Sequence, residues 1–292
     1  MATLAMLTHL AYANVIVSTT RAIVPMPPGN TTVRVTNASQ SAALVQIWAD
    51  TGDAQSSPDT SDAPFEISPA LFVLAAQGTQ VVRIDYEGDA RDDTDTRREK
   101  LFWLNVLDVP SRNDANNIPE KSTEHDMGAE HDTAVEHNTG AEHDTAVEHD
   151  NVLRFVVRSR IKLIVRPGGL TGSALHAPEQ MTWHIAPAAE PGKEMRTGMG
   201  NRPVMLVGTN PSPFHITCAP LFVLADDGHD QEIGTHVFAP GESREVTIKS
   251  PEKPASSASS HDRQALPWST TVCHAINDYG SIDMFKAPIT RD

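Results

Sequence analysis

The sequence is poor in several things that common function classes depend on. Bases are outnumbered, with 23 Lys and Arg against 38 Asp and Glu, and a net charge of −15 argues against a nucleic-acid-binding surface. A basic binding face survives only as a local feature. No apolar run approaches the roughly 20 residues of a membrane-spanning helix, so no membrane span is expected. Cysteine is nearly absent: Cys218 and Cys273 stand 55 positions apart, a pair that an oxidising compartment permits to bond and a reducing one leaves as buried thiols. Neither a Gly-x-Ser-x-Gly elbow, a His-Glu-x-x-His pair nor a Walker loop occurs, and Gly198-Met199-Gly200 is too short for a dinucleotide turn. An enzyme is therefore the least favoured class, with no cofactor and no small-molecule substrate expected. Helix signals are also scarce, because few long stretches lack Gly or Pro and apolar residues rarely recur at three-to-four spacing.

Strand signals are abundant. Short apolar or alternating runs at residues 15–24, 31–37, 43–48, 65–68, 79–84, 101–107 and 152–165 are separated by Pro, Gly, Asn and Asp clusters, a pattern that predicts a β-sandwich. A second series, at 181–185, 204–209, 215–218, 221–224, 245–248, 270–276 and 282–285, predicts another. Between them lies Arg166-Pro167-Gly168-Gly169, a hinge in which Pro fixes one dihedral and glycine frees the next. The expected division is 14–166 and 167–292, in keeping with about 100 to 200 residues per domain. Residues 1–13 are apolar and end in Ala11-Tyr12-Ala13, a small-x-small pattern that reads as a short signal peptide. No base precedes Arg21, and Thr8 and His9 interrupt the apolar stretch, so a frayed apolar terminus is the alternative.

Much of the acidity is local. Residues 120–150 hold ten acids and one base, and from Glu124 they repeat with period six around Glu-His-Asp. Low hydrophobicity and high charge predict a disordered insert. His125, His131, His137, His143 and His149 are candidate metal ligands, but their spacing matches no defined site, and a solvated, expanded linker is the favoured reading.

The segment from Leu153 to Val165 is the most informative. Leu153, Phe155, Val157, Ile161, Leu163 and Val165 make one apolar row, while Arg158, Arg160 and Lys162 fall on the other face. Pattern alone favours an ordinary half-buried strand. Its context is distinctive. Thr20-Arg21-Ala22-Ile23-Val24, Leu44-Val45-Gln46-Ile47-Trp48, Phe65-Glu66-Ile67-Ser68-Pro69, the run from Arg98 to Val106, Lys162 four residues before Arg166-Pro167, and Asn277-Asp278-Tyr279-Gly280 occur in this order. In these motifs the chain resembles the PapD-like periplasmic chaperones of the chaperone/usher pilus pathway.

The resemblance implies two immunoglobulin-like sandwiches set as a boomerang with a cleft between them. It implies that Arg21 and Lys162 bind the C-terminal carboxylate of a pilus subunit, that Leu153, Phe155 and Val157 are donated as the apolar row of a β-strand, and that an outer-membrane usher receives the subunit. Glu99, Arg166 and Asp278 would form an ionic cluster between the domains. In the immunoglobulin-like order Cys218 and Cys273 fall on neighbouring strands, which allows a disulfide. The chain departs from the family in Arg97-Arg98-Glu99, where Asp-Arg-Glu is usual, and in the long repeat-bearing loop before the donor strand. A secreted immunoglobulin-like protein that binds metal through its repeats, and an adhesive surface protein, are the competing readings.

Overall fold

The computed structural model describes residues 15–88, 97–110, 155–186, 204–249 and 268–291. The signal-like segment, the repeat insert with its five histidines, and Leu153 lie outside the described residues. Nine strands build the first sandwich: β1 (Val15–Val17), β2 (Arg21–Met26), β3 (Asn30–Asn37), β4 (Ala43–Asp50), β5 (Phe65–Ser68), β6 (Leu71–Leu74), β7 (Thr79–Tyr86), β8 (Lys100–Pro110) and β9 (Val157–Pro167). They form a four-stranded sheet in the order β1-β3-β7-β5 and a five-stranded sheet in the order β2-β9-β8-β4-β6.

Alternation decides which side chains fill the space between the sheets. Val33 and Val35 of β3, Val82 and Ile84 of β7, Val45 and Ile47 of β4, Leu104 and Val106 of β8, and Leu163 and Val165 of β9 all point inward and are buried. Each contributes roughly 1.5–3 kcal/mol by leaving water. Phe65, Tyr86 and Phe102 close one end, with the Phe65 and Phe102 rings edge to face at 5.0 Å.

The second sandwich follows a 3-10 turn at Ala177–Gln180 and contains β10 (Thr182–Ile185), β11 (Val204–Thr209), β12 (Ile216–Ala225), β13 (Asp230–Phe238), β14 (Ser243–Ile248), β15 (Trp268–Ile276) and β16 (Ile282–Arg291). Its sheet order is β13-β12-β15-β16-β10-β11-β14, and β10 joins the two layers by pairing antiparallel with β11 and parallel with β16. Trp183 and Phe238 meet edge to face at 5.4 Å in its core. They occupy the space above Gly208, where a Cβ would lie 2.5 Å from the Trp183 ring. Cys218 and Cys273 are joined in a disulfide between β12 and β15, with Cα atoms 5.0 Å apart.

Each sandwich also carries the same buried asparagine device. Asn37 donates to the carbonyls of Ser41, Leu74 and Ala75, and its oxygen accepts from the amide and hydroxyl of Ser39. Asn210 does the same with Phe214, Phe238, Ala239 and Ser212. Both side chains are fully buried and fully satisfied, which is the condition for tolerating a polar group at that depth. The two halves are thus variants of one immunoglobulin-like sandwich, set as a boomerang with a cleft between them.

The strand runs read from the sequence differ from the structure in places. The run 15–24 divides into β1 and β2, because the chain crosses from one sheet to the other at Ser18–Thr20. The runs 215–218 and 221–224 are one strand, β12, whose register shifts between Cys218 and Leu221. The strands β6 and β13 have no counterpart in the expected set, and both are edge strands.

Candidate functional site

Where the sandwiches meet, β9 is the organising strand. Its second half is covered on both sides, by β8 and by β2, the latter in parallel register that places Arg21 beside Lys162 and Pro25 beside Arg166. Its first half pairs with β8 alone. Residues 157–161 therefore leave one backbone edge without a partner among the described residues.

Arg21 and Lys162 sit at the end of that open edge. Arg21 is 6% and Lys162 8% exposed, and the Arg21 Nε finds no hydrogen-bond partner among the described residues. The Lys162 ammonium donates to the Thr217 hydroxyl across the cleft and lies 5.9 Å from the Trp103 ring centroid. Burial, reinforced by the neighbouring Arg21 charge, pushes the Lys162 pKa down from 10.5 to about 8. Burial also lowers Arg21, opposed by Asp278 and Glu99. Two buried cations side by side are electrostatically unfavourable, and an anion placed between them relieves both penalties.

The acids nearby are committed elsewhere. Glu99, on the segment leading into β8, accepts from Arg166 Nε at 2.6 Å with one oxygen and from the His215 amide at 2.7 Å with the other. Asp278 takes both terminal nitrogens of Arg166, at 2.6 and 2.9 Å. Burial alone would lower the Arg166 pKa, but the hydrogen bonds and charge of Asp278 and Glu99 outweigh it and hold it above its ordinary value. The cluster ties β9 of the first sandwich to His215, on the segment leading into β12, and to the β15–β16 turn of the second. The Glu99 amide adds a bond to Pro213 O at 3.0 Å, and Arg98 Nη1 reaches Pro240 O at 3.3 Å.

The turn that carries Asp278 is shaped by its neighbours. The Asn277 side-chain oxygen accepts from the amides of Tyr279 and Ser281, both at 3.0 Å, which fixes the loop. Gly280 completes it at φ +82°, a region other residues rarely adopt, and a Cβ there would stand 2.9 Å from the Thr20 hydroxyl. Thr20 immediately precedes Arg21, so the second sandwich presses directly on the strand that carries the cleft arginine.

The outer face of the five-stranded sheet holds a network that sequence reasoning missed. Arg158 stacks over Trp48 at 4.7 Å and Arg160 over Trp103 at 4.6 Å. Asp50 pairs with Arg160 and accepts from Asn105 Nδ2 at 2.7 Å, while Arg158 binds the Asn105 oxygen through two nitrogens at 2.7 and 2.9 Å. Burial would raise the Asp50 pKa, but its bonds to Arg160, Asn105 and the Gly52 amide hold it below the usual carboxylate value. The visible signal was the basic row of β9 facing two tryptophans on strands of matching register. This network stiffens the strand on which Lys162 and the open edge lie.

Of the expected apolar row, Phe155 is 63% exposed ahead of β9 and Val157 opens β9 opposite Asp108, whereas Leu153 lies outside the described residues. Among the described residues no group of three or more His, Cys, Asp or Glu is arranged to hold a metal ion, and no helix is long and apolar enough to cross a membrane.

Two family models match the chain. The pili and flagellar-assembly chaperone PapD N-terminal domain covers residues 14–127, and the pili assembly chaperone PapD C-terminal domain covers 176–287. The chaperone protein FimB/FhaD of Bordetella pertussis is 28% identical over 289 residues, 99% of this chain and 93% of its own. The probable fimbrial chaperone YadV of Escherichia coli is 26% identical, over 92% and 87% of the two chains. The crystal structure of the YadV chaperone superposes with a TM-score of 0.62 at 23% identity, covering 94% of this chain and all of that one. The Salmonella enterica SafB chaperone, solved in complex with the SafA pilin, gives 0.59 at 21% identity, over 96% and 98%.

Proposed function

The chain belongs to the PapD family of pilus assembly chaperones, and from that premise we propose that it captures a pilus subunit by anchoring its C-terminal carboxylate between Arg21 and Lys162 and adding the open edge of β9 to its fold. The observation that carries this reading is the continuity of the two features. Residues 157–161 are the unpaired edge, and residue 162 is the point at which β2 takes over the pairing. A carboxylate held at Lys162 is therefore the terminus of a strand lying along 155–161, in line with β2 and parallel to β9. Seven residues at about 3.3 Å each allow a contact roughly 23 Å long. Backbone hydrogen bonds supply affinity along this edge, and the alternate side chains Phe155 and Val157, continued by Leu153, enter the subunit's core.

The charge logic agrees with this role. A carboxylate takes charge-assisted bonds from both cations, and its desolvation is offset because the two cations are already out of water. The salt-bridged Arg166, Glu99 and Asp278 keep the cleft walls in place. No catalytic step is needed: the donated strand itself stabilises the subunit, and a better-fitting strand releases it. A chaperone of this kind works in the periplasm and passes subunits to an outer-membrane usher. Co-expression with a pilin tests the anchor. Arg21→Ala and Lys162→Ala are each expected to abolish pilin recovery with the purified chaperone while leaving its circular dichroism unchanged; undiminished recovery would refute the proposal.

A further inference from the structure

Asp108 is a buried acid that neither the cleft nor the outer-face network uses. It follows Phe102, Leu104 and Val106 on the inward row of β8 and is 3% exposed. Neither of its carboxylate oxygens completes a hydrogen bond among the described residues. Val45 stands directly opposite it on β4 and Val157 on β9, and directly opposed residues point to the same side of a sheet, so its flanks are apolar. Burial raises its pKa, and the backbone amide of Val15 on β1 offsets this only in part.

The described elements around it bring no compensating charge. β1 has no titratable residue, and its partner β3 offers Asn37, whose polar atoms are committed, and Arg34, which is exposed. On β7, Arg83 and Asp85 pair with each other at the surface. Asp50 stands at the far end of β4 and is held by Arg160, and Lys100 is at the other end of β8. On β9, Arg158 and Arg160 lie on the opposite face, stacked on the tryptophans.

The place of Asp108 along its strand gives this isolation a consequence. The ladder between β8 and β9 ends at the pair Asp108–Val157, while β8 continues against β4 as far as Pro110. Asp108 therefore marks the rung where the donor strand leaves the sheet, next to the Val157 and Phe155 side chains that a subunit would receive. Buried and ionised, it is an unpaired charge; opening one terminal rung lets water reach it, and losing the bonds of one pair is the smaller cost. Protonated, it is neutral and the rung stays closed.

We propose that Asp108 is a positioning residue for strand donation: in its protonated form the last rung of β9 holds Val157 ready for a subunit, and in its ionised form that rung opens. The inference rests on the strand-donation reading and adds a proton to it. A subunit that engages the closed rung selects the protonated form, so capture takes up a proton and tightens as pH falls. Lys162, with its pKa at about 8, stays charged below pH 7, so the anchor is not what changes.

Two measurements between pH 5 and 7 test this. Hydrogen exchange of the free protein, corrected for the intrinsic rate, should show residues 157–159 protected at least about tenfold more at pH 5 than at pH 7, and equally protected at both in Asp108→Asn. Protection independent of pH in the native chain, a result that needs no variant, overturns the proposal. Titration with a pilin should give about tenfold higher affinity at pH 5 than at pH 7 for the native protein and less than about twofold change for Asp108→Asn, with Asp108→Leu as the second neutral variant if that one folds poorly. The same pH profile in native and variant proteins overturns the positioning role while leaving strand donation intact. Absence of pilin binding by every form at either pH overturns strand donation itself, and the positioning role with it.

Discussion

Replacing Lys162 with Met should stabilise the free protein at neutral pH while destroying its function. The Lys162 pKa stands at about 8 in place of 10.5, because burial and the Arg21 charge disfavour its ammonium. That gap corresponds to a penalty of roughly 3 kcal/mol on the charged form. The lysine also donates to Thr217, a bond whose loss costs about 1 kcal/mol. A methionine of similar length removes both, so Lys162→Met gains about 2 kcal/mol, or roughly 5 °C in melting temperature. The pH dependence carries the same signature. Below about pH 8 the lysine is protonated in both folded and unfolded chains, and the full penalty is present. Between pH 8 and 10.5 the unfolded chain binds the extra proton, so stability contributed by this site rises with pH and levels off above 10.5. Urea unfolding of both forms at a series of pH values, followed by tryptophan fluorescence, measures this. The gain at pH 7 should shrink as pH rises past 8, reach zero near about pH 9.5, and become a loss of about 1 kcal/mol above 10.5, where only the missing Thr217 bond remains. A Lys162→Met protein less stable than the parent at pH 7, or a gain independent of pH, would refute the reasoning.

Three further outcomes follow from the geometry. Gly280→Ala places a Cβ against Thr20 in a left-handed conformation and should cost about 1–2 kcal/mol, seen as a lower melting temperature and weaker pilin recovery. Phe155→Asp should leave the melting temperature within about 1 °C, since the side chain is largely in solvent, yet abolish pilin recovery by putting a charge into the donated row. Replacing both Cys218 and Cys273 with Ser opens a loop of 55 residues and should cost roughly 2–4 kcal/mol, measured by urea unfolding.

The residues that meet where the two sandwiches join were legible as candidates because they sit in short motifs whose order is itself distinctive: Arg21 in Thr-Arg-Ala-Ile-Val, Lys162 four residues before Arg-Pro, and Asp278 in Asn-Asp-Tyr-Gly. Most strands were legible from alternation, as in β3, where Val33 and Val35 are buried between exposed Thr32 and Arg34. What escaped were features that depend on long-range placement. The division of β1 from β2 falls at Ser18-Thr19-Thr20, a polar break that strand-compatible threonines disguise, since both halves face a core and only the sheet changes. The strand β6 is four residues just after Pro69 and reads as part of a turn, while β13 is polar with a central glycine, as an edge strand tolerates. The stacking of Arg158 and Arg160 on Trp48 and Trp103 required the register of three strands. Asp108 carries no mark in the sequence of its place on the inward row of β8, which extends past the expected run at 101–107.

The central claim is that a subunit's terminal carboxylate is what the buried cations hold, and it can be tested on the ligand rather than the chaperone. A pilin prepared with its normal C-terminus and the same pilin with that carboxylate converted to the amide would be titrated against the purified protein. Two charge-assisted hydrogen bonds are worth about 3 kcal/mol in such a site, so the amidated pilin should bind roughly 100-fold more weakly. Equal affinity for the two forms would contradict the account.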